Sequence, residues 1–146
     1  DMDLSVPGRS IADEIQLSLA PVFLLTAIAG LLTVLTNRLG RATDHARLVA
    51  ERIRADGDVD HDLAAFAVLR RRIALLRRAI GAIVVAAFVI CLVIILIFLG
   101  EYLSAPISWA IGAMFIAAMA MLIAGFAFLL LEISLSTQKW NRNFWD

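Results

Sequence analysis

The run AIGAIVVAAFVICLVIILIFL, Ala79 to Leu99, contains no charged residue, and its only heteroatom-bearing side chain is Cys91. At about 1.5 Å of rise per helical residue it can cross a hydrocarbon core of roughly 30 Å, which asks for about 20 residues. A helix at the edge of a water-soluble core keeps a polar face. This run has none and is branched or aromatic almost throughout from Ile83 to Phe98. It reads as a membrane span and is the span expected to have the most lipid contact.

Two further runs reach the same length, Leu17 to Thr36 before it and Ile107 to Leu131 after it. Composition agrees. Of 146 residues, 62% are hydrophobic and 18% charged, and the mean hydropathy is +0.88, more apolar than a water-soluble domain of this size. The expectation is an all-α membrane protein with three transmembrane helices in one domain over residues 1–146. Lys plus Arg and Asp plus Glu are 13 each, so net charge points to no nucleic acid partner, and the information lies in how the charges are distributed. Cys91 is the single cysteine, which excludes an intrachain disulfide and leaves it as a small packing residue. Asp13 and Glu14 precede the first run where a cleaved leader would carry basic residues.

Orientation follows from basic residues in the short flanking loops. Arg38, Arg41, Arg47, Arg52, Arg54, Arg70, Arg71, Arg72, Arg77 and Arg78 lie between the first and second runs, and Lys139 and Arg142 follow the third. The opposite side has only Arg9. The amino terminus and the Gly100 to Pro106 turn are therefore expected outside, with the arginine-rich segment and the tail, 132–146, in the cytoplasm. Tyr102 and Trp109 on one side, and Trp140, Phe144 and Trp145 on the other, suit aromatic belts at headgroup level.

The arginine-rich segment has its own periodicity. Leu35, Leu39, Ala42, Ala46, Val49 and Ile53 alternate spacings of four and three, as do Phe66, Leu69, Ile73, Leu76 and Ile80, and each set is a helical seam. Asp56-Gly57-Asp58 between them is a helix stop, with Asp58 or Asp60 able to cap the next helix. The spacing predicts an antiparallel hairpin over about 39–78 in which the first two membrane helices run on into the cytoplasm. Ser10, followed by Asp13 and Glu14, marks a helix start well before the first span. Pro21 predicts a bend early in that span, and Thr26, Gly30, Thr33 and Thr36 a partly polar side facing protein.

Several constellations bear on function. Asp56, Asp58, Asp60 and Asp62 resemble the alternating carboxylates of a calcium loop, but counting from Asp56 an EF-hand needs Gly at His61 and Glu at Ala67. No metal site is expected in one chain. Arg70, Arg71, Arg77 and Arg78 are candidate lipid headgroup contacts, each basic side chain near an anionic leaflet contributing about 1 kcal/mol. Arg38, Arg41, His45 and Arg52 form a basic stripe starting at the membrane boundary. With several copies around an axis, Thr26, Thr33, Asn37, Arg38, Arg41 and His45 are candidate pore or vestibule linings. Glu132 ends the third span level with Arg38, and a carboxylate there needs a partner. Arg38 is the expected partner, with Arg77 or Arg78 as alternatives. His45 and His61 are the only histidines and have no hydroxyl or thiol company in a triad, so no catalysis and no cofactor are expected.

Ala113, Ala117, Ala120, Ala124, Gly125 and Ala127 give the third span small residues four apart, which permit close helix approach. Val68 and Leu75 lie off the hairpin seam as a second apolar stripe that a lone hairpin leaves uncovered. Both features point to a homo-oligomer with cyclic symmetry.

The blocks Ala20-Pro21-Val22-Phe23-Leu24-Leu25, Leu35-Thr36-Asn37-Arg38-Leu39-Gly40-Arg41 and Asp44-His45-Ala46-Arg47, with Arg70 to Arg72, Arg78 and Leu131-Glu132-Ile133, resemble a family of small bacterial inner-membrane proteins of unknown function. His45 departs from the basic residue that the resemblance implies after Asp44. The resemblance implies a bacterial inner membrane and three spans and adds no mechanism. The leading expectation is a homo-oligomeric pore for small ions. The alternative is a membrane-anchored scaffold whose hairpin binds a protein or anionic lipid.

Overall fold

The computed structural model describes residues 11–56, 59–103 and 108–142, all helical: α1 Ile11–Asp56, α2 Val59–Leu103 and α3 Ser108–Arg142. Each is long and apolar enough to cross a membrane. The 46 residues of α1 run about 70 Å at ~1.5 Å each, well beyond one bilayer core, and continue unbroken through Pro21. The two-residue link after α1 brings α2 back beside it. Arg38, Ala42 and His45 share one cavity with Leu69 and Arg72, and His45 and Val49 share the next with Ala65 and Val68. As numbers rise along α1 they fall along α2, so the pair is antiparallel.

Side-chain spacing explains the packing. The apolar rows Ile28–Leu35–Ala42–Val49 on α1, Leu69–Leu76–Ile83–Ile90 on α2 and Ala79–Ala86–Val93 beside it are buried at strict seven-residue steps. Ala118, Gly125 and Glu132 make the matching row on α3. A seven-residue repeat drifts slowly around a 3.6-residue helix, so such rows keep facing one neighbour when helices wind gently around each other. The seam expected in the hairpin is present: Leu39, Ala46, Ile53, Phe66, Ile73 and Ile80 are half-buried between the fully buried members.

α2 packs on both α1 and α3, while α1 and α3 make no close backbone approach to each other among the described residues. The most apolar span is thus the middle one, because a helix apolar all round can face two neighbours and still present Val84, Phe88 and Ile95 outward. Cys91 is exposed on that outer side and does not fill the core. α3 continues past Leu131 to Arg142, and its Leu135 walls a cavity with Val68. Val68 and Leu75 are both half-buried, and the third helix comes near the first of them through Leu135. Trp109 is exposed, as a belt residue would be. Ser10, Gly57, Asp58, Phe144 and Trp145 lie outside the described residues, as do the side chains of Asp56, Asp60, His61, Asp62, Tyr102, Trp140, Lys139 and Arg142.

Between apolar helices in lipid, burial of oily surface contributes little, and close fit decides association. Gly125 is a point of tight fit between α3 and α2: a Cβ there would stand 2.6 Å from Cγ1 of Ile83 and 3.4 Å from the Ala79 carbonyl oxygen. Gly81 has nothing within 4 Å of the same position. We expect Gly125→Ala to destabilise the protein in detergent by about 1–3 kcal/mol through overpacking. Gly81→Ala should be neutral or slightly stabilising, since alanine is the better helix former. Thermal melts of both variants, and of Gly125→Ala with Ile83→Ala, check this: the double variant should recover part of the loss if Ile83 is the obstacle.

Candidate functional site: a buried glutamate among arginines

Glu132 continues the α3 row through Ala118 and Gly125, and its register carries it into the bundle, where it is 0% exposed. Stripping water from a carboxylate costs several kcal/mol unless charge and hydrogen bonds replace it. Two helices supply that replacement. Arg72 of α2 donates from Nε and Nη2 to Glu132 Oε1 at 3.0 and 2.7 Å. Arg38 of α1 places Nη2 3.2 Å from Oε2. That second contact is close enough for Coulomb attraction but is not aligned as a hydrogen bond, and Oε2 has no hydrogen-bond partner among the described residues. One charged residue from each helix thus meets at one point, joining α1 to α3 where their backbones do not touch.

Beside this clamp lies a half-open cavity of about 200 Å³ walled by Arg38, Arg41, His45, Arg72 and Glu132 over a floor of Ala42 and Leu69. A smaller one of about 110 Å³ adjoins it, sharing His45, Leu69 and Arg72 and otherwise apolar. Three guanidiniums oppose one carboxylate in the larger cavity, so its field is positive. Arg41 and His45 stand exposed at the rim.

The candidate residues of the sequence therefore separate into groups. Arg38, Arg41 and His45 converge on the cavity with Glu132, whereas Arg52 is exposed and not among its walls. Thr26, Thr33 and Asn37 are exposed on the side of α1 away from Ile28 and Leu35. Thr26, Thr33 and Thr36 donate their hydroxyls to carbonyls one turn back, Val22, Ala29 and Leu32, at 3.3, 3.0 and 2.8 Å. Arg70, Arg71, Arg77 and Arg78 are all exposed on α2, and neither Arg77 nor Arg78 is the second partner of Glu132.

That partner is Arg72, which the sequence reading counts only toward orientation because it sits inside a run of three arginines. A signal for it exists. Arg72 lies seven residues before Ala79, in step with the buried Ala79–Ala86–Val93 row, while Arg70 and Arg71 fall out of step and face outward.

Removing one partner of a buried pair leaves an uncompensated charge, at about 3–5 kcal/mol. Arg72→Ala should therefore lower detergent stability more than Arg38→Ala, because Arg72 makes both aligned bonds. Combining Arg72→Leu with Glu132→Leu should cost clearly less than the sum of the single variants, and additive losses would show that the pair is not coupled.

No curated protein and no solved structure matches the chain. A family model described as a protein of unknown function, DUF2721, matches residues 18–142, a stretch that contains the whole arginine–glutamate clamp and its cavity. The chain is thus a three-helix membrane protein belonging to the DUF2721 family.

Proposed function

We propose that the protein is a homo-oligomeric pore for small ions in the bacterial inner membrane, with no catalytic role. Its amino terminus lies outside, and the arginine-rich hairpin and carboxyl terminus lie in the cytoplasm. The observation that carries the reading is the outer face of α1. At about 100° per residue, Thr26, Gly30, Thr33, Asn37, Gly40 and Asp44 form one stripe, and every member is exposed. It lies roughly opposite the packed row Ile28–Leu35–Ala42. Within the span, at Thr26, Gly30 and Thr33, a polar stripe facing lipid is unfavourable, and a neighbouring copy or a water-filled axis resolves it; Asn37, Gly40 and Asp44 continue the same face into the hairpin.

Two details support the same face. The threonine protons turn back to the helix, which leaves the hydroxyl lone pairs directed outward for water or a cation. Gly30 and Gly40 have nothing within 4 Å where a Cβ would stand, so packing inside the chain does not require them, although glycine costs a helix about 1 kcal/mol relative to alanine. Close approach of another copy is a use for both. On α3, Ala113, Ala117 and Ala120 are also exposed and suit a second helix-to-helix contact. The rival reading, a scaffold, is favoured by the exposure of Arg70, Arg71, Arg77 and Arg78 together on α2.

Reconstitution into liposomes separates the two. On a Cys91→Ser background, Thr33→Cys should react with a membrane-impermeant thiol reagent and lose ion flux on labelling, while Phe88→Cys should do neither. Oligomers without flux, with Thr33→Cys unreactive, would overturn the pore and leave the scaffold.

A further inference from the structure

The cavity beside Glu132 has features that the clamp does not use. Arg41 and His45 reach its rim with no hydrogen bond or ion pair to the rest of the described chain. Arg38 makes a single contact to Oε2 from one of its nitrogens, so most of its donors remain available. Oε2 of Glu132 is fully buried and faces Arg38 Nη2 at 3.2 Å, so it is closed to a ligand, and the groups left open at the site are guanidinium and imidazole donors suited to an anion.

We propose that this cavity binds a phosphate group, supplied either by a lipid headgroup or by a soluble phosphomonoester. Arg38, Arg41 and His45 hold the phosphate oxygens, and Glu132 keeps Arg38 at the cavity wall. Arg72 acts through Glu132: it holds Oε1 at 2.7 and 3.0 Å and so keeps the carboxylate in the wall of the cavity.

Phosphate is favoured over a simple halide because the planar fork of arginine matches tetrahedral oxyanions, and the paired bonds add geometric selectivity. Size agrees. The cavity of about 200 Å³ has room for roughly six waters at ~30 Å³ each, enough for a group of five heavy atoms with bridging water. Depth agrees as well: Arg38 follows directly on the first apolar run and Arg41 lies less than one turn further, which is headgroup level for a core of roughly 30 Å. The adjoining cavity, lined by Val49, Val68 and Leu135, can receive the apolar part of a soluble ester. The proposal does not rest on conduction, since the walls come from one chain.

Binding to the full-length protein tests it, with Arg41→Ala as the informative variant, because Arg41 is exposed and outside the clamp. Inorganic phosphate at millimolar concentration should raise the melting temperature of the detergent-solubilised protein, and Arg41→Ala should weaken that response by about tenfold or more, the loss of a charged hydrogen bond. Arg47→Ala, exposed on the same helix, should leave it unchanged. If the source is lipid, phosphatidylglycerol should be retained in native mass spectra from mixed phosphatidylglycerol–phosphatidylcholine vesicles and be lost with Arg41→Ala but not with Arg47→Ala. A response to phosphate alone assigns a soluble ligand, and retained lipid alone assigns a headgroup. Neither effect, or equal loss in Arg41→Ala and Arg47→Ala, overturns the proposal.

Discussion

A carboxylate with no exposure just past the third apolar run sets the terms for the rest of this protein. Burying Glu132 there is costly unless cationic donors meet it, and the two that do come from the other two helices. The rotation and depth of all three helices are thereby coupled at one level of the bundle. The hydrophobic effect does not provide such a reference, because in lipid an apolar face turned outward costs as little as one turned inward.

Above that level, shape does the remaining work. Seven-residue rows let α2 face both neighbours along its length, and Gly125 brings α3 close to Ile83 and the Ala79 carbonyl. The clamp and the glycine contact lie on the same α3 row, two turns apart, so the electrostatic and steric constraints reinforce one register. The outward sides of the helices, with Phe23, Phe88, Ile116, Ile123 and Leu130 exposed, are as oily as the interior, as a lipid-facing surface requires.

Two polar features of α1 lie on different sides of the helix. One flank joins the arginine cavity, and a different face carries the threonine and glycine stripe. A ring of α1 helices would direct the stripe to its axis while the cavity stays within each subunit. On these two proposals, a permeation path and a ligand site would occupy different residues.

The three spans, their extension into a hairpin and the Glu132–Arg38 proximity were legible in the chain because each depends on local properties: run length, three-four spacing, and charges placed at matching ends of apolar runs. The choice of Arg72 over Arg77 or Arg78 was not. Arg72 and Glu132 are sixty positions apart, and their meeting depends on the rotation of α2 relative to α3, to which Gly125 and the alanine row contribute. The same holds for the middle place of α2 and for the division of Thr26, Thr33 and Asn37 from Arg38, Arg41 and His45. Periodicity places residues on a helix face, but only packing decides which faces meet, and in a chain apolar on nearly every side the hydrophobic pattern alone does not distinguish them.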